Sequence, residues 1–186
     1  FAVDAAAQLN NNMSMMNKNV KVKKDEQGDI VPSFSESTPT GFKAQLEESI
    51  VKYIDLKNAL VDTDSNGASL AADLFSKSLK DIDMTLIKGD AHIYWMEQLK
   101  GLDSHAGKII KSEDVEDQRN QFDFLSQAMI NSVKAFGTDE KTYYVQYCPM
   151  AKDNQGADWI STEKLIRNPY FGDKMMKCGS VKLELN

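Results

Sequence analysis

Much that would give a chain an immediate function is missing from this one. There is no G-x-S-x-G, no H-E-x-x-H and no glycine-rich phosphate loop. Nucleophile-elbow, zinc-protease and P-loop chemistries are therefore excluded. Basic residues are the minority: 22 Lys and Arg against 28 Asp and Glu leave a net charge of −6 and a pI near 5.0. A nucleic-acid binder would carry the opposite balance on one face. No apolar run approaches the ~20 residues that span a bilayer, so no transmembrane span is expected. There is neither a basic start nor an apolar h-region, and so no intact signal peptide. Phe1 to Gln8 fit a remnant beside a removed export signal and an arbitrary boundary equally well.

Cysteine and histidine are scarce, with two of each. The cysteines, Cys148 and Cys178, are not in C-x-x-C spacing, which rules out the zinc-ribbon and thioredoxin motifs. One pair of cysteines fits a single disulfide in an oxidising compartment, and it fits a metal site.

The chain has ample material for a core. At 41% hydrophobic and 27% charged it has globular composition over 186 residues, enough for one ordinary domain. Residues 1–41 read as a flexible polar tail or linker, with Asn10 to Asn12, Met13, Met15, Met16, a lysine cluster and a Ser/Thr/Pro-rich run. Residues 42–186 read as the folded domain.

Four helices are expected in it. Phe42, Leu46, Ile50, Tyr53, Ile54, Leu60 and Val61 form the first apolar stripe, and Ala68, Ala71, Ala72, Phe75 and Leu79 the second. A third runs from about Asp90 through Ile93, Met96, Leu99, Ala106 and Ile110, with Gly101 and Gly107 as places for a bend. A fourth, capped by Asp114, carries Phe122, Leu125, Met129, Val133 and Phe136 and stops at Gly137. Short links force antiparallel neighbours. The fold class is thus mainly α, an up-and-down four-helix bundle. After Gly137 the period changes to two. Tyr143, Val145 and Tyr147, and then Val181, Leu183 and Leu185, predict two short strands that pair and bring the cysteine loops together. An irregular segment between them, with Trp159, Ile160, Leu165 and Ile166, completes an irregular/β cap.

The chemistry concentrates around the cysteines. Met150 follows Cys148 and Met176 precedes Cys178, each among turn-forming Pro and Gly. Thiolates and thioethers are soft ligands, which favour Cu(I) over Mg or Ca. The other reading is a Cys148–Cys178 disulfide with the methionines as filler. His92 and Met96 lie i, i+4 on the third helix and share a face. They are candidate additions to the cysteine site, or else a half-buried histidine beside a core methionine. His105 falls off the main apolar face. Asp62 to Gly67, with Asp73, has an EF-hand outline, but a capped polar turn fits it better. A Cys148–His92 nucleophile pair lacks an orienting third residue, so no enzyme is expected.

Around Tyr147-Cys148-Pro149-Met150-Ala151, Gly156-Ala157, Trp159-Ile160-Ser161, Arg167 to Asp173 and Met176 to Gly179 the chain resembles an uncharacterised envelope domain. Ala91-His92, Trp95-Met96, Arg119, Phe122, Leu125 and Ser126 match it more weakly. The likeness spans about residues 42–186. That domain occurs alone, in secreted or lipid-anchored proteins, and fused to adaptors of heavy-metal (copper/silver) efflux pumps. No adaptor portion is present here. The resemblance implies a stand-alone periplasmic or cell-envelope metal-binding protein, lipid-anchored in some relatives, with a metal ion and an envelope or efflux complex as partners. It does not imply catalysis.

Overall fold

The computed structural model describes residues 21–24, 30–139 and 141–185, with side chains from Val31 onward. It is mainly helical, at 60%, with four long helices and a small antiparallel sheet near the C-terminus. The helices are α1 (Thr40–Val61), α2 (Ser65–Lys80), α3 (Asp90–Lys111) and α4 (Val115–Phe136).

Contacts along the helices fix their directions. The Ser76 hydroxyl reaches Asp103 while Ser69 reaches the carbonyls of Ile109 and Ser112, so α2 and α3 are antiparallel. Phe42 packs on Phe136 and Tyr53 on Phe122, so α1 and α4 are antiparallel too. The expected up-and-down bundle is present. Its centre is Leu46, Ile50, Tyr53, Phe75, Leu102, Phe122 and Met129, all with no exposed surface. Burying such side chains stabilises by ~25 cal/mol per Å² of apolar area.

The ends follow local chemistry. Asp114 accepts hydrogen bonds from the N–H groups of Glu116 and Asp117, which opens α4. Asp64 accepts from Gly67 N and opens α2, so the EF-hand outline is a capped turn. The third helix begins at Asp90 itself, one residue earlier than a cap at Asp90 would give, with Gly89 at its N-cap. It runs unbroken through Gly101 and Gly107.

Two expectations change. The polar tail was placed over residues 1–41, but the core begins earlier than Phe42. Strand β1 (Lys21–Lys24) pairs antiparallel with β2 (Ile30–Ser33). Val31 and Phe34 are buried, and Phe34 packs on Tyr94 and Phe136 while its N–H donates to Ala135 O. Two apolar residues in a Ser/Pro-rich run are enough to join the bundle. Met13, Met15 and Met16 lie outside the described residues.

The cap, in turn, has three strands: β3 (Tyr143–Cys148), β4 (Ala157–Ser161) and β5 (Ser180–Leu185), in the order β4-β3-β5. Strand β4 comes from the segment read as irregular. Its Trp159 and Ile160 are fully buried against the bundle. The predicted pairing of β3 with β5 is present, with a bulge between Val145 and Gln146. The bulge turns Gln146 and Cys148 inward and leaves Tyr147 half-buried. As an edge strand, β5 leaves Val181 and Leu183 partly exposed.

Candidate metal centre at the paired thiols

Strand β3 ends at Cys148, and Pro149, which has no N–H to donate, stops the ladder there. Cys148 sits opposite Ala157 of β4, and its neighbour Tyr147 sits opposite Ser180 of β5. Gly179 bridges from Cys178 into β5. Its φ is +141°, and a Cβ there would meet Tyr147 O at 2.7 Å. Only glycine lets the backbone pass this close to β3. The two sulfurs consequently lie 3.2 Å apart. Both cysteines are free thiols, Cys148 with no exposed surface and Cys178 half-buried.

The loop that delivers Cys178 is stapled by Asn168, which is fully buried. Its side-chain amide donates to Cys178 O at 2.8 Å, its N–H donates to Met176 O, and its side-chain oxygen accepts from Tyr170 N. Arg119 of α4 then ties this loop to the bundle. Its guanidinium donates to Pro169 O at 2.8 Å, Leu60 O at 2.9 Å and Thr63 Oγ1, and pairs with Glu116. Gly172, at φ +55°, makes room for the same guanidinium; a Cβ there would come within 2.9 Å of Arg119 Nη2. Tyr170 packs on Trp159 and Phe122 and donates to Asp158 O. Asn168 and Arg119 are among the residues that carry the resemblance, but nothing in the sequence assigns them these positioning contacts.

The Cys178 thiol is pushed up from its ordinary value, first by its hydrogen bond with Cys148, then by burial and by the charge Cys148 would carry. Two thiolates at this distance would repel, so the Cys178 thiol holds its proton until something cationic comes between the sulfurs.

The remaining sequence candidates divide. Met176 is half-buried in the Asn168 loop, and Met150, 46% exposed, opens the turn after Cys148. That turn is strained. Lys152, Asp153 and Asn154 all have positive φ, at 53°, 53° and 67°. Lys152 is held there by an ion pair with Asp123 and a cation–π contact with the Phe124 ring.

His92 and Met96 do not join the cysteines. Next to His92, Tyr94 and Trp95 pack on Phe136 at the C-terminal end of α4. The cysteine loop is tied to Arg119 near the N-terminal end of that helix. At ~1.5 Å per residue these points are about 25 Å apart. The i, i+4 spacing fixes a shared helix face but says nothing about which end of the bundle that face meets. His105 is engaged elsewhere, bonded to Gln121 and stacked on Phe124.

Among the described residues no three His, Cys, Asp or Glu side chains gather where they could hold a metal ion. A site at the thiols would therefore rest on two sulfurs plus thioether. That set does not suit zinc, which prefers a closed tetrahedral set of Cys, His or carboxylate. It suits a soft monovalent ion. Two sulfurs ~2.3 Å from a tetrahedral ion would stand about 3.8 Å apart, so the pair needs to open by only ~0.6 Å.

Residues 50–141 match a family described as "Protein of unknown function (DUF3347)". The match covers most of the bundle, including His92 and Met96, and ends before β3. The cysteine loops lie outside it. No curated protein and no solved structure matches the chain. Among the described residues no helix is long and apolar enough to cross a membrane.

Proposed function

We propose that this chain is a soft-metal binding protein that holds Cu(I) between Cys148 and Cys178, with Met150, Met176 or both assisting. Its role would be that of a scavenger or carrier in the cell envelope, without catalysis. The observation that supports this most is the 3.2 Å approach of two free sulfurs at the rim of the cap. Cys148 lies at the end of a strand packed on the core, and Cys178 on a loop stapled by Asn168. The protein's part is to present two thiols at nearly the spacing an ion needs and to keep most solvent away from one of them. When bound, the ion would supply the positive charge that lets both sulfurs lose their protons. The likeness to an envelope domain associated with copper and silver efflux supports the compartment and the partner class.

Titration of the reduced protein with Cu(I) against a chromophoric chelator tests this reading. One ion per chain is expected. Affinity should fall as pH falls, because protons compete for the thiolates, and the raised Cys178 thiol extends that competition above the usual thiol range. Unchanged binding in Cys148→Ser and Cys178→Ser would remove the site.

The same sulfur distance favours a second reading. Closing from 3.2 Å to the ~2.05 Å of a disulfide is also a short movement. In that case the chain would be a structural or interaction module of an envelope complex, its cap locked by oxidation. Thiol counts on the protein as isolated, before and after reduction, separate the two.

A further inference from the structure

At the other end of the bundle, a cleft of about 520 Å³ lies between the α2–α3 connection and the first turn of α3. Met84, Ile87 and His92 line it with Thr85, Lys88 and Gly89. His92 is half-buried and Met84 is 37% exposed. Met96, 42% exposed, stands one turn further along α3 on the face His92 shares. One imidazole and one thioether thus line the same cleft, with a second thioether one helical turn beyond it, far from the cysteines. The two histidines differ. His105 spends its ring on Gln121 and Phe124, whereas no hydrogen bond or ring contact joins His92 to another described residue.

We infer that His92, Met84 and Met96 form a second, separate site for a soft monovalent cation such as Cu(I) or Ag(I). Imidazole and thioether are ligands of this class. Neither thioether carries charge, and the only charged side chain lining the cleft is Lys88. No carboxylate lines the cleft itself, Asp90 beside Gly89 having its Oδ2 buried, and Lys88 would repel a hard divalent ion more strongly than a monovalent one. The site does not depend on the thiol pair.

The test uses Ag(I), a redox-inert probe, and the Cys148→Ser/Cys178→Ser variant, which leaves the inferred site untouched. One equivalent should bind, and the His92 ring resonances should move while those of His105 stay still. His92→Gln should weaken binding at least ~10-fold, since losing even an outer-shell partner has that effect, and adding Met84→Leu should abolish it. A motionless His92 ring, or uptake indifferent to these two changes, overturns the site. Should the double cysteine variant not fold, the same changes in the parent should remove one of two bound equivalents, and retention of both would overturn it. Neither result bears on the thiol pair, whose own test is loss of binding in the cysteine variants.

Discussion

The bundle and its cap are held together by different forces. In the bundle, large apolar side chains fill the space between helices, and polar groups enter only at helix ends and a few pinned positions. The cap buries Tyr143, Val145, Trp159, Ile160 and Tyr170 as well, but much of it is loop. It is fastened by directed bonds to backbone carbonyls: Arg119 of α4 to Pro169, Asn168 to Cys178, Gln146 to Glu163 and Leu165, and Tyr170 to Asp158. Tyr53 joins the two regions. Its hydroxyl pairs with Ser126 in the bundle at 2.7 Å and accepts the N–H of Ile160 in β4 at 3.1 Å. Burial drives that phenol well above the ordinary tyrosine range, so it stays a neutral connector. Non-directional burial tolerates repacking, but a fully buried directed bond does not. The cap should therefore be the part that a single polar substitution can detach.

Arg119→Ala is the sharpest way to break this comparison. It strips the Leu60 and Pro169 carbonyls of their buried donor and leaves Glu116 only the more distant Lys174. A loss of about 3–5 kcal/mol, from two buried carbonyls left unsatisfied, is expected in chemical denaturation, with faster thiol labelling of Cys148 than in a bundle variant of equal stability. Leu46→Ala serves as that control. It should lose a similar ~2–5 kcal/mol while leaving the relative reactivity of the two thiols unchanged. If both variants expose Cys148 alike, bundle and cap are one cooperative unit and the distinction fails.

The same contrast explains what could be read from the chain. Phe42, Leu46, Ile50 and Tyr53 repeat at helical spacing because one face of α1 is buried from end to end, and Asp114 announces α4 because an N-cap is a local bond. The approach of Cys148 and Cys178 was legible because it follows from β3 pairing with β5. By contrast, Ala157 to Ser161 is five residues long with no alternation, since Trp159, Ile160 and Ser161 are all buried. The period that marks a half-exposed strand is absent from it. Val31 and Phe34 were hidden by composition: two apolar residues do not make a period, yet a groove beside Phe136 was open to take them. The separation of His92 from the cysteines depends on which ends of α3 and α4 meet, and helical spacing is blind to that.

A second break acts on backbone alone. Gly179→Ala places a methyl group 2.7 Å from Tyr147 O and 3.1 Å from the Trp159 ring, at a φ that other residues rarely adopt. About 2–3 kcal/mol should be lost, read as a lower melting temperature. The register of β5 should slip, the sulfurs should part, and Cu(I) uptake at the thiols should fall with them. Stability lost without any effect on the thiols would mean that Gly179 serves only packing.

A third measurement asks where the bundle itself is strained. Lys57 of α1 is 3% exposed, and burial, followed by the charge of Arg167, lowers its amine to about 8 from 10.5. Below pH 8 the amine is charged in both folded and unfolded chains, and the folded state bears the full penalty. Between 8 and 10.5 the unfolded chain keeps a proton that the folded one has released, so stability rises with pH across that window. Lys57→Met should flatten this rise and, at pH 7, stabilise the protein by roughly 1–3 kcal/mol. A destabilised Lys57→Met would mean that the ammonium is worth more to Glu163 and Asp62 than its burial costs.

The smallest effect belongs to a helix end, where the bundle too relies on a directed bond. Asp64 caps α2 through Gly67 N at 2.9 Å, in a turn whose residues also have the outline of a calcium loop. Capping alone predicts that Asp64→Ala lowers stability by about 1 kcal/mol and that calcium does not change the melting temperature of the parent or the variant. A calcium-loop role requires the helix to start several residues later, so that the carboxylates could turn inward together. Here Ser65 is already helical, and one Asp64 oxygen is committed to Gly67. A melting temperature that rises with calcium in the parent and not in Asp64→Ala would show that the turn opens to bind, and that this end of the bundle is as rearrangeable as the cap.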